Sequence, residues 1–89
     1  MSKCLEAIAN RNHGLMANII SRNNHKMIFN IKDENGNSLI TMAIIGDDIK
    51  IVELLCRFGA NPNIPNNKGN TSLHFAVSLK HYDIVEILL

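Results

Sequence analysis

Four short stretches of this chain carry apolar residues at helical spacing. "SLITMAII" and "TSLHFAVSL" place them three and four apart, and "IKIVELLCRF" and "YDIVEILL" do the same. The spacing predicts helices over 40–46, 50–57, 72–79 and 83–89. Between the second and third of these, "FGANPNIPNNKGN" breaks the pattern. Gly59 follows a helix end, where a left-handed residue is wanted, and Pro62 and Pro65 forbid helix. Residues 60–69 are therefore expected to be an extended connection, closed by a tight Asn-Lys-Gly turn at Gly69. Ser38 and Thr71 stand just before an apolar run, where a side-chain hydroxyl accepts from an unpaired amide of the first helical turn.

The pattern occurs twice. Sliding the chain by 33 residues lays 29–56 on 62–89, with nine identities in 28 pairs. Residue frequencies alone would give about two. The identities include Asn30/Asn63, Gly36/Gly69, Asn37/Asn70, Ala43/Ala76, Ile51/Ile84 and Glu53/Glu86. A fainter copy precedes them: "CLEAIANRNHGLMANIIS" puts Ala7, Ile8, Met16, Ile19 and Ile20 where the later copies carry apolar helix positions. Its connection to the next copy is about two residues longer. A worn first copy is expected of a terminal repeat, because its outer face meets water.

The period, the paired helices, the Gly turn and Thr71-Ser72-Leu73-His74 together closely resemble the ankyrin repeat, whose turn reads Thr-Pro-Leu-His. Ser72 stands where that motif has Pro, and Ser38-Leu39-Ile40-Thr41 keeps only the hydroxyl and the apolar position. The likeness is strong over 30–89 and weak over 4–22. It implies an all-α solenoid of stacked helix-turn-helix units, forming one domain over 1–89. Residues 1–29 would be a degenerate N-terminal capping repeat, 30–62 a second repeat, and 63–89 a third that stops at its second helix. It also implies structural roles for Gly36, Gly69, Thr71, Leu73 and His74. In that role the imidazole of His74 bonds backbone groups within and between repeats, and the Thr71 hydroxyl caps the helix.

Composition narrows the chemistry. Net charge is +1, with 46% hydrophobic and 4% aromatic residues, so no basic stripe points to nucleic acid or an acidic membrane. No apolar run reaches membrane-span length, and Glu6, Asn10 and Arg11 interrupt the N-terminal apolar stretch. Cys4 and Cys56 have no partner motif, which fits a cytoplasmic protein with two reduced thiols. Cys56 aligns with Leu89 and is expected to face the core as a small hydrophobe. Met42 and Phe75 align and are expected to pack between helices.

No catalytic, cofactor or metal site is expected. His74 and His81 fall on different elements with no Cys or carboxylate to complete a ligand set. His13 and His25, in the weak first copy and its loop, are expected to face solvent. Asp47-Asp48 reads as a helix N-cap and a solvated face. "PNNKGN" has one Gly and lacks the pattern of a phosphate loop, and no Ser sits in a recognisable triad arrangement.

The resemblance implies instead a binding module that recruits another protein on a concave wall of turns and first helices. Carried onto this sequence, the variable positions are Glu34, Asn35, Asn37, Ile45 and Gly46 in one repeat, and Asn67, Lys68, Asn70, Ser78 and Leu79 in the next. Ile45 and Leu79 are apolar where solvent is expected, which suits a contact patch. Two other roles fit the same residues: the recruiting segment of a longer enzyme, or a structural cap of a longer solenoid. Leu88 and Leu89 end an apolar helix face, so further repeats or another domain are expected beyond them, with a monomer or a weak dimer through that edge.

Overall fold

The computed structural model describes residues 3–22 and 29–89. Six helices lie within them: α1 (Lys3–Ala9), α2 (His13–Arg22), α3 (Leu39–Ile45), α4 (Ile49–Arg57), α5 (Ser72–Ser78) and α6 (Tyr82–Leu88). Each consecutive pair packs as a hairpin. The first helices α1, α3 and α5 pack side by side as an inner row, and α2, α4 and α6 form the outer row. The chain is thus an all-α stack of three hairpins. The expected helices are present with ends moved by one residue, the usual fraying uncertainty. Leu79 and Leu89 lie one step beyond their helices, as C-caps.

The caps explain where the inner helices begin. Ser38 and Thr71 are both extended, and their hydroxyls accept from the amides of Thr41 and His74 at 3.4 Å. The three outer helices start at equivalent points. The side chain of Asn12 accepts from Leu15 N–H at 3.0 Å and that of Asp48 from Ile51 N–H at 3.4 Å, but His81 makes no capping bond. Between the helices of each hairpin sits one residue at positive φ: Arg11 at 54°, Asp47 at 54° and Lys80 at 62°. None is Gly, so each hairpin holds a backbone conformation that L side chains disfavour.

The middle hairpin carries most of the core. Leu39, Ile40, Ala43, Ile44, Ile51, Val52 and Leu55 are all buried, joined by Ala7, Met16 and Ile20 from below and Ala76 and Ile84 from above. Ala43 and Ala76, at the same repeat position, are both buried in this core. Burying this apolar surface is what holds short helices together, since helices of seven to ten residues are marginal alone. Met42 and Phe75 are half-buried against the core, and so is Cys56, whose thiol is pushed above its ordinary pKa by desolvation.

Candidate partner-binding face

Two equivalent turns lead into the inner helices. Asp33 and Asn66 occupy the same repeat position, and each side chain organises its own turn. Asp33 Oδ1 accepts from the amides of Asn35 and Asn37 at 2.9 Å, and Asn66 Oδ1 from Lys68 and Asn70 at 2.9 and 3.0 Å. Gly36 N–H donates to Asp33 C=O and Gly69 N–H to Asn66 C=O, each at 3.0 Å, with both glycines at positive φ. These are Asx turns, closed by a left-handed Gly. The signal for them is present in the sequence: an Asp or Asn stands three residues before the Gly in both copies, with a side chain able to accept two amides.

The turns are also bonded to each other. Asn67 N–H donates to Asn35 C=O at 3.0 Å, its side chain to Glu34 C=O at 3.2 Å, and Asn66 Nδ2 to Asn37 Oδ1 at 2.9 Å. This changes the expected binding rim. Asn37 is buried, with its amide nitrogen on Asp33 Oδ2 at 3.0 Å and its oxygen on Asn66, so it belongs to the seam and not to the exposed surface. Asn70 is half-buried. Glu34, Asn35, Asn67 and Lys68 remain exposed at the tips. Gly36 supports the seam directly: a Cβ there would collide with the Asn67 side chain and come within 3.0 Å of its backbone nitrogen.

At the other end of the inner helices, Ile45 and Leu79 are 46% and 44% exposed, and Gly46 and Ser78 are exposed beside them. A cleft of about 350 Å³ opens between the first two hairpins, walled by Ile8, Ala9, Met42, Ala43 and Ile45 and edged by Arg11. Arg11 closes the far end of that seam, donating to Gly46 C=O at 2.6 Å and to Asp47 C=O at 3.4 Å. His81 Nδ1 lies 3.5 Å from Asp47 Oδ1, continuing the link to the third hairpin. Nothing in the sequence marks Arg11 for this part, because its acceptors are carbonyls 35 and 36 residues away.

Two histidines differ from expectation. His13 does not simply face solvent. It is half-buried, and its Nε2 lies 2.8 and 2.9 Å from the two oxygens of Asp48, whose carboxylate is buried beneath it. Asp48 therefore caps α4 and joins the first hairpin to the second. His74 does not fill the structural role the resemblance implies. It is exposed, and its ring meets Phe75 edge-on at 5.9 Å without a hydrogen bond to any described residue. The position one repeat earlier is Thr41, which does bond across a seam. His25 lies outside the described residues. Leu73 is half-buried, and the Thr71 cap is present. Among the described residues no three His, Cys, Asp or Glu side chains converge. No described helix is long and apolar enough to cross a membrane.

The stacked hairpins, the Gly-closed turns and the capped inner helices agree with what comparison with known proteins finds. The chain matches the family of ankyrin repeats, in three copies, over residues 5–89. It belongs to the ankyrin repeat family, whose repeats are generally protein-binding and typically non-catalytic. Similar proteins include an ankyrin repeat protein of Acanthamoeba polyphaga mimivirus, 33% identical over 60 residues, covering 67% of this chain and 8% of that protein. An ankyrin repeat protein of Fowlpox virus is 40% identical over 60 residues, covering 67% of this chain and 14% of that protein. The nuclear factor NF-kappa-B p110 subunit of Drosophila melanogaster is 38% identical over 68 residues, covering 68% and 7%. The chain thus spans a small part of the length of these curated relatives.

Proposed function

We propose that this chain docks another protein on its inner face, with Ile45 and Leu79 as the apolar anchors. The observation that carries the reading is the exposure of these two side chains at the same end of neighbouring inner helices. Ile45 aligns with Ser78 in the 33-residue period, so Leu79 stands one residue further on, at the same end of the neighbouring inner helix, and we take the two as one patch with the apolar walls of the cleft at Ile8 and Met42. Binding energy concentrates where an apolar anchor is ringed by polar groups that exclude water. Here the polar groups at that end are Ser78, Arg11 and Lys80. A reducing, cytoplasmic setting fits the free thiol of Cys56.

The test is a double substitution, Ile45→Asp with Leu79→Asp, compared with Lys50→Glu on the outer row. A photoreactive group at Ser78, exposed beside the patch, identifies the protein captured by the wild-type chain. The double variant is expected to keep its helical circular dichroism and to lose that capture, while Lys50→Glu retains both. Undiminished capture by a folded double variant would place the interface elsewhere.

A further inference from the structure

The tip of the first described turn carries the one Asn-Gly dipeptide in the sequence, Asn35-Gly36. In Asn-Gly the backbone nitrogen of the second residue reaches the side-chain carbonyl carbon of the first with least hindrance, because Gly has no Cβ to block rotation. The fold leaves no freedom to replace that Gly, since φ is +79° and a Cβ would meet Asn67. Asn35 itself is exposed, and the same place in the next turn is Lys68. The turn thus demands Gly36 but not the Asn before it.

The folded turn also restrains the pair. Gly36 N–H, the nucleophile, donates to Asp33 C=O at 3.0 Å. Asn35 N–H donates to Asp33 Oδ1 at 2.9 Å, and Asn35 C=O accepts from Asn67 N–H at 3.0 Å. These bonds occupy the attacking nitrogen and fix the peptide on both sides of Asn35. The neighbouring Asn37 is shielded further, being buried with its side chain bonded to Asp33 and Asn66.

We propose that Asn35 is a spontaneous deamidation site that the intact seam between turns holds closed, so that its modification records separation of the repeats. Once the turn opens, the Gly36 nitrogen loses its proton to solvent and bonds to Asn35 Cγ. The bond from Cγ to the side-chain nitrogen breaks, and ammonia leaves with the proton. Water then opens the resulting succinimide at one of its two carbonyls, yielding aspartate or isoaspartate. One water enters, one ammonia leaves, and nothing is oxidised or reduced. Either product adds negative charge beside Asp33 and Glu34. Isoaspartate also lengthens the main chain by one carbon and displaces the carbonyl that Asn67 N–H uses. A chain modified in the opened state therefore rebuilds its seam more weakly, and the change is one-way.

The experiment follows intact mass and peptide maps of the full chain during neutral incubation, folded and in urea. Conversion at Asn35 should be faster in urea by about tenfold or more, because a protected site reacts from its opened fraction. Asp33→Ala, which removes the acceptor of two turn amides, should raise the folded-state rate with helical dichroism retained. Asn35→Lys should abolish the conversion and leave the melting temperature unchanged, as Lys68 is accommodated in the equivalent turn. A rate in urea less than about tenfold above the folded rate overturns the proposal, as does an absence of conversion at Asn35 in urea.

Discussion

The hydroxyl oxygens of Thr41 and Ser72 lie 2.7 Å apart, buried at the seam between the second and third hairpins. Ser38 Oγ donates to Thr41 Oγ1 at 3.2 Å, so three buried hydroxyls form one chain from the cap of α3 to the first turn of α5. Both members of the pair depart from the ankyrin turn motif. Thr41 stands at the His position of one copy, and Ser72 at the Pro position of the next. The two departures meet each other, and Thr41 supplies the partner that the Ser72 hydroxyl needs. A buried hydroxyl without a partner loses its hydration for nothing.

This pairing sets the first prediction. Thr41→Val should cost about 1–3 kcal/mol, because it strands the Ser72 hydroxyl in a dry seam. Ser72→Ala should cost less, because Thr41 keeps Ser38 as a partner. The double variant should cost clearly less than the sum, since no Ser72 hydroxyl is then left unpaired. Urea denaturation of the four proteins measures the coupling. Strict additivity would show that the two hydroxyls do not interact.

Gly36 and Gly69 share a positive φ but differ in surroundings. A methyl group added at Gly69 would meet open space, whereas one added at Gly36 would meet Asn67. Gly69→Ala should cost about 1 kcal/mol, the backbone strain alone. Gly36→Ala should cost more, about 2–4 kcal/mol, because the seam between turns must also shift. Thermal melts that rank the two the other way round would contradict the described seam.

Asp47 and Asp48 are adjacent but should behave differently. Asp48→Ala removes a helix cap and the contact with His13 together, and should cost about 1–3 kcal/mol. Asp47→Ala touches an exposed carboxylate and a long contact to His81, at a left-handed position that Asp tolerates better than Ala, and should cost less, about 0.5–1 kcal/mol. Chemical denaturation of the two variants checks the difference.

Lys80 sits between α5 and α6 at φ 62°, with its side chain exposed. Lys80→Gly should stabilise the chain by about 0.5–1 kcal/mol, the strain relieved being partly offset by the greater freedom of Gly in the unfolded chain. A lower melting temperature would mean that the Lys side chain holds more than its exposure suggests.

Cys56 supplies a pH dependence. Burial raises its thiol pKa in the folded chain, so above the ordinary thiol pKa the unfolded chain has lost a proton that the folded chain still holds. Fewer protons on the unfolded state mean that stability falls as pH rises through that range, until the folded thiol also ionises. Below the ordinary thiol pKa the contribution is fully present. The alkaline loss should be smaller in Cys56→Ala, measured as the difference in denaturation midpoint between neutral and alkaline buffer.

The helices were legible because their information is local. Apolar spacing, Ser38 and Thr71 before the runs, and Pro62 and Pro65 between them act within a few residues, and the 33-residue self-match multiplied each signal. The turns were legible as turns, since Gly36 and Gly69 are needed for backbone reasons that sequence displays. What escaped were side chains whose partners lie a repeat away: Asp48 under His13, Arg11 on Gly46, and Asn37 drawn into the seam by Asn66. Hydrogen bonds of this kind depend on where two hairpins come to rest, and nothing within either segment states that.

Ile44 and Val77 divide the two kinds of information. They occupy the same repeat position in equivalent inner helices, and the apolar period assigns both to the packed face. In the structure Ile44 is 0% exposed and Val77 is 54% exposed. His74 and Thr41 divide in the same way, one open and one bonded inside a seam. By itself the sequence determined the period, the helix pairs, the caps and the turns, because each follows from residues a few positions apart. Only the tertiary structure decided which equivalent side chains are buried, since burial in a stack depends on having a hairpin packed on either side, and the middle hairpin has both.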